Sequence, residues 1–280
     1  MTETRGGRRG APRVELVRDY ERKDSYLLSV DGVAQSYVDL ADPTHLELEY
    51  LLLIADVIDT CFNAGRPLEA VHLGAGACTL PRYIAATRPG SRQHAYDLDA
   101  EVVDVVRDRL GIDDVPHLSL VVGEARHALS QTRDNTAHLV VVDAYDGPRA
   151  AVSLLTLEAV ADAKRVLKRD GVLLANVADR APFDFLRPVL ATLRAVFGHV
   201  ALLADPGSMR GRRYWNQVLA ASQRPLPVDE LRRRVASATP RARLVAGERL
   251  SEFVGDAVPT TDTAPAVAPV MRSWVYDRSE

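Results

Sequence analysis

Four short stretches hold side chains suited to gripping and activating a small polar ligand. The first is Leu73-Gly74-Ala75-Gly76-Ala77-Cys78-Thr79. Gly74 and Gly76 would let the backbone approach a ligand closely, and a helix starting just after them would offer free N–H groups. The second is Tyr96-Asp97-Leu98-Asp99, in which Asp97 can accept two hydrogen bonds from ribose hydroxyls. The third is Gly123-Glu124-Ala125, whose carboxylate can accept from an adenine amino group. The fourth is Asp143-Ala144-Tyr145-Asp146-Gly147-Pro148. Two carboxylates in a partly desolvated cleft can hold a cationic amine, and one with a suitable pKa can take its proton.

Each stretch has a plainer reading beside the chemical one. Any strand–helix junction can have a Gly-rich turn. Asp99 immediately precedes a predicted helix and suits an N-cap, which leaves Asp97 as the ribose candidate. Glu124 caps a helix as readily as it binds a base. The fourth stretch also reads as a polar turn closed by Gly147-Pro148. What sets them apart is their order: Gly-rich turn, acid, acid and Asp pair follow one another at successive strand ends.

The elements that would place them alternate between strand and helix. Strands are predicted over residues 70–73, 93–98, 118–122, 139–143 and 172–177, with helices over 80–87, 101–110, 153–167 and 185–197 and a short one from 125. A final pair over 200–204 and 214–221, joined by the loop 205–213, reads as a hairpin at one edge. This β-α-β rhythm predicts a parallel sheet covered by helices on both faces. In such sheets ligands bind beyond the carboxyl ends of the strands, where all four stretches fall. Ahead of this, short strands over 14–17, 26–30 and 35–40, with Asp31-Gly32 as a turn, predict an antiparallel meander. Thr44 and Glu47 stand in capping-box register, so the next helix is expected to start there. Domain bounds follow: a disordered tail over 1–13, the meander over 14–43, the α/β domain over 44–224, and one short helix with irregular sequence over 225–280.

The bulk composition excludes several classes. The chain has 280 residues, 47% of them hydrophobic, and a net charge of −3. That is enough chain for one large core, and the charge gives no global attraction for nucleic acid. Two cysteines, Cys61 and Cys78, offer neither a disulfide framework nor metal spacing, so a cytoplasmic protein without a metal is expected. The apolar runs are too short to span a bilayer, so no membrane partner is expected. A nicotinamide dehydrogenase would want G-x-G-x-x-G, whereas Gly74-x-Gly76 runs on into Leu80-Pro81.

Over residues 14–221 the sequence resembles the spermidine synthase (polyamine aminopropyltransferase) family, in its divergent bacterial spermidine-synthase-like branch. Asp31-Gly32-Val33-Ala34-Gln35 is similar to the family's N-terminal DGxxQ hairpin, and Thr44-His45-Leu46 stands where the family has Tyr-His-Glu, with only His45 kept. Gly123-Glu124-Ala125 stands at the family's GDA motif, Asp143 and Asp146 stand at the two acids of its DxxDP segment, and residues 261–265 resemble a DDxAP tail. Asn176 and Asn216 sit in strands that also look family-like.

The resemblance implies a class I S-adenosylmethionine-dependent methyltransferase-like (Rossmann-like) fold. It further implies transfer of an aminopropyl group from decarboxylated S-adenosylmethionine to a putrescine-like amine. Asp143 would be the base and Asp146 would help hold the amine beside Tyr145. Gln35, His45, Gly74, Gly76, Asp97 and Glu124 would bind the nucleoside-bearing donor. A homodimer is compatible with the family. Two departures keep other functions open: Ala77 replaces an Asp of the Gly-rich turn, and Leu46 replaces the Glu of Tyr-His-Glu. A methyltransferase using S-adenosylmethionine itself, or a non-catalytic nucleoside-binding paralogue, fits the same residues.

Overall fold

The computed structural model describes residues 14–146, 149–211, 214–238 and 241–270. The expected tail over 1–13 lies outside the described residues, as does the Gly147-Pro148 turn.

Strands β1 (Val14–Arg18), β2 (Ser25–Val30) and β3 (Val33–Asp39) form the antiparallel meander. Its Asp31-Gly32 turn has φ of 50° and 75°, the left-handed pair that a two-residue type I′ hairpin requires. Leu28 faces Ser36 while Ser29 faces Ala34, so Gln35 is the extra residue of a bulge. A bulge bends its strand and re-aims a side chain.

Helix α1 (Glu49–Cys61) begins later than the capping-box reading predicts. Asp42 Oδ1 accepts from the Thr44 backbone N–H at 3.1 Å and from its hydroxyl at 2.5 Å. The hydroxyl that would cap a helix is engaged in that turn, and α1 starts behind Leu48 with no side-chain cap.

The main body runs β4 (Glu69–Leu73), α2 (Thr79–Thr87), β5 (Arg92–Asp97), α3 (Ala100–Leu110), β6 (Leu118–Val122), α4 (Ala125–Gln131) and β7 (Ala137–Val142). A small hairpin, β8 (Tyr145–Asp146) with β9 (Arg149–Ala150), precedes α5 (Leu157–Val166) and β10 (Leu167–Asp179). Then come α6 (Leu186–Val196), β11 (His199–Ala204), α7 (Pro206–Met209), β12 (Trp215–Ser222), α8 (Val228–Ser237), β13 (Arg243–Ala246) and α9 (Glu248–Val254).

The large sheet has the order β13-β11-β12-β10-β7-β4-β5-β6. Strands β10, β7, β4, β5 and β6 are parallel neighbours, and β12 is antiparallel to both β10 and β11. This is the class I methyltransferase-like arrangement. Chain order reverses between β4 and β7, so the ligand crevice belongs at the carboxyl ends of these strands.

The β11–β12 pair is not an edge hairpin as the sequence suggests. β12 lies between β10 and β11, and β13 covers the outer side of β11. The described part of 225–280 therefore holds β13 and α9 beyond the one helix expected there. Four residues, Arg243-Leu244-Val245-Ala246, are too few to show a period-two pattern.

Alternation along the central strands builds the core. Val140 and Val142 pack with α5 and α6, while Leu139 and Val141 pack with α1 and α8 on the other face. Each such buried Val or Leu contributes about 1.5–3 kcal/mol relative to exposure. A third cluster joins Leu28 and Val38 of the meander to Ala77, Cys78 and the Val102, Val103 and Val106 stripe of α3. The meander is thereby docked on the Gly-rich turn, and Ser36 and Thr79 reinforce the joint through their hydroxyls at 3.3 Å.

Candidate active site

The Gly-rich turn, the β5 tip, the β7 tip and the bulged β3 surround one cavity of about 1090 Å³. Ligand sites for one drug-sized molecule run to roughly 300–1,000 Å³, so two small substrates can sit here together. Gln35, Gly74, Gly76, Asp97, Glu124, Asp143, Tyr145 and Asp146 all line it. Asp97 and Asp143, the two acids on which the sequence reading turns, share this cavity.

Backbone geometry fixes the turn. Gly74 has φ of 98°, and a Cβ there would lie 2.1 Å from the Asp143 carbonyl oxygen. Glycine is required so that the β4 and β7 tips can touch. Two N–H groups of the turn itself, ahead of the helix, are already engaged. Those of Ala75 and Gly76 donate to Asp97 Oδ2 at 3.1 and 3.2 Å. Asp97 Oδ1 accepts from the Asp99 N–H at 3.1 Å. Asp97 thus braces the turn from the neighbouring strand, with both lone pairs of Oδ2 engaged and one on Oδ1 left for a ligand hydroxyl. Asp99 caps α3 by accepting from the N–H groups of Glu101 and Val102. Glu124 caps α4, accepting from Arg126 at 2.9 Å and His127 at 2.5 Å.

Asp143 sits at the floor. Its Oδ2 accepts from the Tyr50 hydroxyl at 3.0 Å and its Oδ1 from Asn176 Nδ2 at 2.8 Å. Burial pushes its pKa above the ordinary carboxylate value, and the Asn176 and Tyr50 hydrogen bonds pull it back. That is the setting of a carboxylate that can gain and lose a proton. Burial also raises Tyr50 and Tyr145 well above the usual phenol value, so both remain neutral donors. Asp146 is exposed on β8, paired across the small hairpin with Arg149.

His45 is the expected site residue that the structure moves away. It does not line the cavity. Its Nε2 lies 3.2 Å from Glu47 and its ring packs edge-on against Tyr37. The turn at Asp42 delays the helix, and Tyr50 reaches Asp143 instead. Ala77 is fully buried in the third cluster and is not among the lining residues, so the Gly-rich turn presents no carboxylate of its own.

Residues that the sequence reading does not assign to the site also line it. They include Tyr50, Asn176, Trp215, Asn216 and the segment Pro265–Ala268. That segment is strapped across the cavity. Asp262 accepts from the Thr156 hydroxyl at 2.6 Å and from Arg126 at 3.3 Å, its N–H donates to Glu158, and Arg149 donates to the Ala268 carbonyl. His72, buried on β4, donates from Nε2 to Gln93 Oε1, because Gln93 Nε2 is committed to the Pro81 carbonyl. Burial lowers the His72 pKa to about 4, so it is neutral at pH 7.

Seven carboxylates line the cavity and, among the described residues, one guanidinium, that of Arg149. Such a wall favours cations and opposes a free carboxylate. No group of three or more His, Cys, Asp or Glu that could hold a metal ion occurs among the described residues, and no described helix is long and apolar enough to cross a membrane.

A probable spermidine synthase from Corynebacterium glutamicum superposes with a TM-score of 0.83, covering 97% of this chain and 100% of that one at 27% identity. The chain is thus similar to a spermidine synthase along almost its whole length. Polyamine aminopropyltransferase 1 of Hyperthermus butylicus is 25% identical over 205 residues, 68% of this chain and 69% of that enzyme. The polyamine aminopropyltransferase of Neisseria meningitidis is 22% identical over 173 residues. That match spans 61% of this chain and 64% of the relative, less than two thirds of its length. No family model matches the chain.

Proposed function

We propose that this chain transfers an aminopropyl group from decarboxylated S-adenosylmethionine to a putrescine-like amine. The observation behind this reading is Asp143, a buried carboxylate at the β7 tip with a raised pKa, in the same cavity as Asp97. The donor's ribose lies against Asp97 and its adenine against Glu124, with Gln35 and the Gly74–Gly76 turn flanking the sulfonium. Asp143 takes a proton from the acceptor ammonium. The freed nitrogen lone pair forms the new C–N bond, the C–S bond breaks, and its electron pair leaves with methylthioadenosine. Asp146 and Tyr145 hold the amine. The sulfonium is already a good leaving group, so the protein supplies orientation and proton removal.

The charge balance of the cavity favours this donor over S-adenosylmethionine. Decarboxylation removes the group that the seven carboxylates would repel. No metal enters the proposed reaction.

Incubating the purified chain with decarboxylated S-adenosylmethionine and an amine panel, and measuring methylthioadenosine release, tests the reading. Mass spectrometry of the acceptor then separates aminopropyl from methyl transfer. Methylthioadenosine binding without turnover on any amine would favour the nucleoside-binding paralogue instead.

A further inference from the structure

The strap across the cavity is fastened at both ends. At one end Thr260 is buried; its N–H donates to the Thr192 hydroxyl at 2.8 Å and its carbonyl accepts from the Leu157 N–H at 2.9 Å. Asp262 adds the Thr156 and Arg126 contacts. At the other end Ala268 is buried and its carbonyl accepts from Arg149. Ala266 is tied back through its N–H to the Thr260 hydroxyl at 2.7 Å. Val267 sits between these anchors and is nonetheless 80% exposed. A lone exposed valine on a surface needs no explanation, but this one is held in place and lines the cavity. Leu98, 71% exposed, is the other openly exposed large apolar side chain that does so among the described residues. Leu98 directly follows Asp97, and the strap is pinned at Arg126, two residues past Glu124. The strap therefore leaves the wall beside the acid expected to meet adenine and ends on the β8–β9 hairpin.

We propose that Val267 is a donor-binding residue, held by the strap so that it closes on one face of the adenine base, with Leu98 adding apolar surface at the β5 tip. This rests on the nucleoside-donor part of the transferase reading above. The choice of base follows from the chemistry of the two reactants. The amine and the sulfonium chain are cationic and gain from the seven carboxylates of the wall. Adenine is neutral and flat, so it is the part of either reactant that gains most from an apolar side chain laid against it. Its ring edge remains free for Glu124 and its sugar for Asp97. The polar contacts then set where the nucleoside lies, and Val267 adds affinity by excluding water from the face of the base.

The test is calorimetric titration of methylthioadenosine and of adenosine into the wild type, Val267→Thr and Val258→Thr. Threonine keeps the shape of valine and replaces one methyl group by a hydroxyl. Val258 is 73% exposed and does not line the cavity, so its variant is the control for an exposed valine elsewhere. Val267→Thr should bind both nucleosides about fivefold more weakly, and Val258→Thr should match the wild type. The heat-capacity change of binding should be less negative in Val267→Thr, the mark of apolar surface no longer buried. Melting temperatures without ligand should agree among the three proteins, because both valines are exposed. Unchanged nucleoside affinity in Val267→Thr would overturn the proposal, as would an equal loss in Val258→Thr. A loss confined to methylthioadenosine would also overturn it, because Val267 would then meet the thioether and not the base. A wild type that binds neither nucleoside would overturn the transferase reading itself, and the proposal with it.

Discussion

Gly74 stands against the backbone of Asp143 so closely that a Cβ on it would lie 2.1 Å from the Asp143 carbonyl oxygen. The turn expected to cradle the nucleoside and the residue expected to do the proton chemistry are therefore one mechanical unit. Gly74→Ala must push the β7 tip aside and also holds alanine at a φ of 98°. We expect a loss of about 1–3 kcal/mol in stability and a fall in turnover on the order of 10²-fold, since small misplacements at a reacting centre cost that much. Denaturant melts alongside methylthioadenosine release would check this. A variant with wild-type turnover would separate the turn from the base.

Asp143→Asn should reduce transfer by roughly 10²–10⁴-fold and leave methylthioadenosine affinity nearly intact. Its stability should respond to pH in a defined direction. Burial raises the folded-state pKa of Asp143, so above the unfolded value the folded chain holds an extra proton. The stability that Asp143 contributes is full below the unfolded pKa and declines as pH rises through the folded one. Melting temperatures measured from acid to neutral pH should therefore fall less steeply in the variant. An equally steep decline would contradict the raised pKa.

Tyr50→Phe removes one of the two donors that stabilise the Asp143 carboxylate. The Asp143 pKa should rise further, so the acid limb of the pH–rate profile should move to higher pH. A purely packing role for Tyr50 would lower the rate at every pH and leave the limb where it was.

Asp97→Ala takes away the acceptor that braces Ala75 and Gly76 and the expected ribose contact together. Methylthioadenosine affinity should drop at least tenfold, with stability reduced by about 1 kcal/mol as two part-buried N–H groups lose their partner. Calorimetry showing unchanged affinity would confine Asp97 to bracing the turn.

Asp262→Ala unfastens the strap from Thr156 and Arg126. Asp262 is about half exposed, so its ion pair with Arg126 should contribute less than about 1 kcal/mol to global stability. Hydrogen exchange at Ala264 and Ala266 should nonetheless rise sharply in this variant. Unaltered exchange there would mean that Asp262 does not hold the strap.

Much of this arrangement was legible in the residues because its signals are local. The Asp31-Gly32 turn, the β6 strand and the Asp99 cap each follow from a few neighbouring positions. Asp97, Glu124 and Asp143 were readable because strand tips recur at regular intervals. Tyr50 was not. It lies 93 residues from Asp143, and the capping-box reading started α1 too early. Thr44 and Glu47 have the right types at the right spacing, and only the competing Asp42 hydroxyl acceptor decides against them. Asn176 and Asn216 carry no local signal for the site, because their shared face depends on β12 inserting beside β10. β13 was missed since four residues give no periodicity.

The walls of the cavity come from widely separated parts of the chain: Gln35 near one end, Pro265–Ala268 near the other, and the β4, β5 and β7 tips between. Contacts so distant in sequence form late and slowly. Nucleoside affinity should consequently appear only once the last strand and the strap have docked, making a bound adenosine a reporter that folding has gone to completion.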